Sequence, residues 1–137
     1  MNKICSICET KIVGYDCNPH PFKGDVCCEA CNQTIVMPVR LYQGYQSPKY
    51  ALLFKANETI QTVRPKKEFF KLEDLQETLG GNVEVYITTF MSSVLVYKSN
   101  GKMKRLPKNK LFEKLSDKEL PGEVLMIPVG MLNRDED

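Results

Sequence analysis

No stretch of this 137-residue chain approaches the ~18 consecutive apolar residues of a membrane-spanning helix, so no membrane span is expected. The opening Met-Asn-Lys-Ile-Cys-Ser-Ile-Cys lacks the continuous apolar run of a signal peptide, which argues against secretion and for a cytoplasmic setting. There is one histidine, His20, and it stands between Pro19 and Pro21. No Walker-type loop, dinucleotide fingerprint, serine-centred nucleophile motif or His-Glu-x-x-His helix occurs. The histidine–glutamate plus cysteine-pair signature of zinc deaminases is also missing. Gly80-Gly81 alone reads as a helix stop. A thiol enzyme built on Cys17 and His20 would have no third residue to orient the base. The chain is therefore expected not to be an enzyme. Finally, no cysteine occurs beyond Cys31: all six fall within residues 5–31.

What is present suits one ordinary domain or two small ones. The hydrophobic fraction of 42% can fill a core, and the charged fraction of 26% matches a solvated surface. The net charge of +2 hides an uneven distribution. Residues 98–114 hold seven basic side chains against one acidic, and residues 115–137 hold two basic against six acidic. The common outcome for such runs is solvated surface, with the two segments neutralising each other in space.

A cytoplasmic chain with six cysteines is poorly explained by disulfides, because that compartment keeps thiols reduced. The spacing points to a metal instead. Cys5-Ser-Ile-Cys8 and Cys28-Glu-Ala-Cys31 are two Cys-x-x-Cys pairs with 19 residues between them, enough for a hairpin that brings the pairs together. Each short turn aims two sulfurs at one point, and zinc takes four such ligands in a tetrahedron. One structural Zn2+ held by Cys5, Cys8, Cys28 and Cys31 is the expected cofactor. Cys27 is an alternative to Cys28 with one extra spacer residue; Cys28 is preferred because it keeps the two-residue spacing. Cys17-Asn-Pro-His20 also looks like a ligand pair. Two complete sites would need eight ligands, however, and the chain has six cysteines and one histidine. Cys17 and His20 are read as a loop packing over the module.

After Cys31, a treble-clef-like module would open a helix, with Ile35, Val36, Val39 and Leu41 facing inward. Pro38 opposes it by removing a backbone donor, so a short kinked helix is expected. This zinc-binding module spans 1–42. Residues 43–49, Gln-Gly-Tyr-Gln-Ser-Pro-Lys, read as a linker.

The second module, 50–137, reads as an α+β domain. Tyr50–Phe54 is a buried strand and Ile60 with Val63 a weaker one. Leu72, Leu75 and Leu79 recur at helical spacing, with Glu73 and Asp74 in the first turn and Gly80 as the stop. Val83, Val85 and Ile87 alternate with polar residues, and Val94–Tyr97 forms a further strand. Asn100-Gly101 signals a tight hairpin turn. Pro107 is expected to open a short helix that buries Leu111, Phe112 and Leu115. Gly122 then leads into a last strand over 123–127. The fold class is α+β: a small treble-clef-like zinc module followed by a compact α+β domain with a mainly antiparallel sheet.

Ile4-Cys5-Ser6-Ile7-Cys8, Asn18-Pro19-His20-Pro21, Cys27-Cys28-Glu29-Ala30-Cys31-Asn32 and Ile35–Leu41 together resemble a group of small uncharacterised proteins encoded by phages and other mobile elements. The resemblance covers roughly the first 41 residues. The second module resembles a different uncharacterised domain family of phages and plasmids, through Leu72–Gly81, Asn100-Gly101-Lys102, Leu106–Lys110 and Gly122. The resemblance implies a bacterial cytoplasmic setting and an accessory role, with no activity to transfer.

Three binding functions are expected on these grounds, the last in rank being the binding of a small nucleotide-like ligand by the second module. The first is an adaptor or inhibitor that works on an unidentified protein partner. The second is nucleic-acid binding through the basic segment 98–114, with Lys102, Lys104, Arg105, Lys108 and Lys110 on phosphates; Tyr97 and Phe112 are the nearest aromatics for base stacking, and Phe112 is read as core.

Overall fold

The computed structural model describes residues 3–44, 48–87, 90–99 and 106–132. Five strands form one antiparallel sheet: β1 (Ala51–Phe54), β2 (Ile60–Val63), β3 (Val83–Ile87), β4 (Ser93–Lys98) and β5 (Val124–Pro128). Their order across the sheet is β2-β1-β5-β4-β3. Leu53 pairs with Leu125 and Leu125 with Val96, so one row of side chains crosses the three central strands on a single face.

Both faces of that centre are covered, which explains why β1, β5 and the middle of β4 (Val94–Val96) are continuous apolar runs rather than alternating ones. Helix α3 (Leu72–Leu79) lies on one face, where Leu75 and Leu79 cluster with Leu53, Val94, Val96, Leu125 and Ile127. Its start is held by Asp74, whose carboxylate accepts the Lys71 N–H at 3.1 Å. Its stop is Gly80 at φ 78, a left-handed conformation that glycine adopts without a Cβ clash. Leu72, which shares the helical spacing of Leu75 and Leu79, is exposed.

Helix α4 (Lys110–Ser116) and the cysteine module share the opposite face. Phe112 meets Phe54 edge-on at 5.1 Å between ring centroids. Leu111, Phe112 and Leu115 are buried as expected, but Pro107 does not open the helix. Asn109 does. Its Oδ1 accepts the Phe112 N–H at 2.9 Å, while its amide donates to the carbonyls of Phe54 and Gly122. Asn109 is itself buried, and its three side-chain hydrogen bonds cap α4 and fasten it to β1 and to the Gly122 turn.

The helix after the cysteines is longer than expected. It begins as α1 (Glu29–Cys31), passes through a π-helical turn over Asn32–Val36 and continues as α2 (Met37–Gly44). Within that turn the Met37 N–H reaches back to the Asn32 carbonyl. The widened turn accommodates Pro38, which has no N–H to give, so the helix proceeds instead of ending. The extra residue also rotates the face that α2 presents to the core. Ile35, Val36 and Val39 are buried, but Leu41 is exposed and Tyr42 takes the inward position.

Helix α2 runs on to Gly44, and one hydrophobic cluster joins Cys5, Ile7, Phe22, Val36 and Tyr42 to Leu52, Phe54, Phe112 and Met126. The Asn100-Gly101 turn lies outside the described residues.

Candidate metal centre

The first knuckle is a tight turn at Cys5–Cys8. Residues Ile4 and Lys11 bridge its base, Cys5 N–H donates to the Thr10 carbonyl at 2.8 Å, and Ser6 N–H donates to the Val26 carbonyl at 2.9 Å. Inside the turn, the N–H groups of Ile7 and Cys8 both point at Cys5 Sγ from 3.4 Å. The second knuckle is the start of α1. Cys28 is its N-cap, and Cys28 Sγ accepts the Cys31 N–H at 3.5 Å. Aiming N–H groups at sulfur favours the thiolate, which is the form that binds metal.

These two turns gather Cys5, Cys8, Cys28 and Cys31, whose sulfurs all lie within 4.8 Å of one another. The Cys8 and Cys28 sulfurs are 3.9 Å apart. A tetrahedral ion with metal–sulfur bonds of ~2.3 Å puts its ligands about 3.8 Å from each other, so the residues present fit a four-thiolate metal site. Cys5 and Cys31 are buried and Cys8 is exposed, so the site sits at the module's edge with one side to solvent.

The thiols differ in acidity for physical reasons. Burial raises Cys5, but the N–H groups of Cys8, Cys28 and Ile7 outweigh it and hold the thiol at about 6 against an ordinary 9.0. Burial pushes Cys31 upward, reinforced by hydrogen bonds with the neighbouring sulfurs.

The other candidate ligands stand apart. Cys27 is fully buried in the hydrophobic cluster and is pushed up to about 11 by burial, with Cys17 and the other thiols adding to it. Its backbone pairs with Cys17 through two bonds of 2.7 and 2.8 Å, which closes the long loop between the knuckles. His20 is exposed, and its carbonyl accepts Arg40 Nε at 2.7 Å, while Arg40 Nη2 donates to the Asn18 carbonyl at 2.8 Å. The 17–20 segment is thus a loop strapped to α2.

Sequence reasoning missed Lys114. From α4 its ammonium donates to the Ile7 carbonyl and pairs with Glu9 at 3.0 Å, on the outer side of the first knuckle. In sequence it reads as one more free positive charge of the basic segment, and nothing local couples it to residues over a hundred positions away. Lys108 is also engaged, with Glu119 at 3.1 Å. Lys110 is exposed and, among the described residues, makes no ion pair. Lys102, Lys104 and Arg105 lie outside the described residues.

No protein-family model, curated protein or solved structure matches this chain.

Proposed function

We propose that the chain is a zinc-stabilised, non-enzymatic binding protein that presents its cysteine module to a protein partner, as an accessory protein of a phage or mobile element. Zinc is the ion of choice because soft thiolates select it and four of them leave no open position for a reacting water. The observation that carries the binding reading is the loop after the first knuckle. Val13 is 89% exposed and Tyr15 80%, with Ile4 at 56% where it bridges Lys11. Large apolar side chains on a loop clamped by a metal and by the Lys3–Asp16 ion pair form a rigid surface of the kind that proteins bury on association. The mobile-element setting rests on the resemblance of the first 41 residues.

Nucleic acid is the weaker reading, because Lys108 and Lys114 are already matched to carboxylates. Crosslinking in host lysate with the intact protein tests the choice. A specific protein adduct that Val13→Asp with Tyr15→Asp abolishes, and Lys110→Glu leaves intact, supports the reading. Salt-sensitive retention of nucleic acid lost in Lys110→Glu would replace it.

A further inference from the structure

Two adjoining cavities lie away from the metal centre, where the end of α2 meets the sheet. The first, about 450 Å³, has Tyr42, Met91, Pro128 and Val129 in its wall. The second, about 470 Å³, is lined by Arg64, Lys67, Glu68 and Phe69. Lys49 and Met131 line both, so the two form one trough.

Its ends differ in chemistry. The first sets apolar Met91 and Val129 beside the polar Gln43 and Ser92, over a floor made by the almost fully buried Tyr42 and Met131; a thioether such as Met91 adapts to flat ligands. Its wall is fixed from behind: Tyr42 Oη and Ser93 Oγ are 2.7 Å apart in the core, and Ser93 Oγ donates to the Met91 carbonyl at 3.0 Å. Those bonds hold Met91 and Ser92 in consecutive left-handed conformations, each at φ 52. Neither is glycine, so each is strained, and strain of this sort gathers where a surface is shaped for a ligand. The second end is cationic, with Lys49, Arg64 and Lys67 against the single carboxylate of Glu68. Among the described residues neither Lys49 nor Lys67 takes part in an ion pair, and the Arg64 guanidinium lies 5.6 Å from the Tyr50 ring centroid with its charge unneutralised. Lys66 points elsewhere, to Glu77.

A slot for a flat ring beside a cluster of three cations matches a ring linked to several negative charges. We propose that this trough binds a nucleoside polyphosphate, with the base in the Tyr42–Met91 end and the phosphates at Lys49, Arg64 and Lys67. The volumes suit a ligand of that size. The phosphates gain charge-assisted hydrogen bonds, and the base gains burial against Met91 and Val129.

Isothermal titration of the metal-loaded full chain tests this, using the magnesium salts of ATP and GTP beside adenosine, inorganic triphosphate and an oligo-dT strand. At least one nucleotide is expected to bind. Adenosine and inorganic triphosphate should each bind at least about tenfold more weakly, because each offers one half of the ligand. Lys49→Glu and Lys67→Glu should each weaken the nucleotide by about tenfold or more, as expected for losing a charge-assisted contact and reversing its sign. Both residues are exposed, so the variants retain the fold, which their melting curves will verify. Lys110→Glu, on α4, should leave affinity unchanged. The proposal is overturned if neither nucleotide binds at millimolar concentration, or if Lys49→Glu and Lys67→Glu bind like the parent. It is equally overturned if triphosphate alone matches the nucleotide, or if oligo-dT binds and ATP and GTP do not.

Discussion

The ammonium of Lys114 lies 2.5 Å from the carbonyl oxygen of Ile7, joining the last turn of α4 to the first metal knuckle. The reverse tie is also made, since the Lys23 N–H donates to the Lys114 carbonyl at 3.0 Å and Lys23 pairs with Asp117. The Lys114 side chain is about a fifth exposed, so water does not readily replace it. Lys114→Met should keep the aliphatic packing but leave the Ile7 carbonyl without its donor. A loss of about 1–3 kcal/mol is expected in urea unfolding, together with faster metal loss to a chelator. An unchanged midpoint and unchanged release rate would reduce the contact to surface decoration.

Metal removal should unfold more than the first forty residues. Cys5 and Cys31 are in the same buried cluster as Phe54, Phe112 and Met126. Chelation, or serine in place of Cys5, Cys8, Cys28 or Cys31, should lower the melting temperature of the whole chain by on the order of 10 °C or more, in a single transition. Cys17→Ser and His20→Ala should leave metal stoichiometry unchanged. Circular dichroism with metal analysis reads both outcomes. A sheet that melts unchanged after chelation would mean that the two regions are energetically independent.

Two glycines give opposite expectations. Gly24 has φ +118, and a Cβ there would come within 2.2 Å of the Ser6 Cβ, against the first knuckle. Gly24→Ala should therefore cost at least ~2 kcal/mol and loosen the metal. Gly44, at the end of α2, has open space where a Cβ would go. Gly44→Ala should be neutral or stabilising by up to ~1 kcal/mol, since alanine restricts the unfolded chain. Thermal melts of the two variants side by side test the contrast.

Tyr42 should be a late-titrating tyrosine. Burial raises its pKa to about 12, against an opposing hydrogen bond with Ser93 and a small upward push from Tyr50. Because the folded value lies above the ordinary 10.0 of an unfolded tyrosine, the folded state holds this proton more tightly. The associated stability is complete below about pH 10 and is lost as pH rises toward about 12. Ultraviolet titration of the parent and Tyr42→Phe should differ by one high-pH step. The variant should also lose less stability over that window.

The strands were legible because the centre of the sheet is covered on both faces, so β1, β5 and Val94–Val96 of β4 must be apolar. Helix α3 was legible because Leu75, Leu79 and Gly80 carry both its periodicity and its stop. The four-cysteine cluster was legible because a two-residue spacer determines local geometry almost alone. Less local features were harder to read. Pro38 argues for a break, and only a π-turn, which has no sequence mark of its own, reconciles it with a continuous helix. The same turn moves the inward position from Leu41 to Tyr42. Asn109, three residues before Phe112, is a cap signal eclipsed in sequence by the more familiar Pro107. The partners of Lys108 and Lys114 depend on how the chain returns in space, which periodicity does not encode.

The order of the sheet has a consequence for how the protein emerges from the ribosome. β5 is the last of the five strands to be synthesised, yet it stands in the middle, between β1 and β4. Until residues 124–128 leave the exit tunnel, the β1–β2 and β3–β4 hairpins have no strand to join them. The cysteine knuckles, complete by residue 31, can capture their ion long before that. With an ion held there, the nascent chain would keep a clamped head beside two unjoined hairpins, and a single late insertion joins the two hairpins into one sheet.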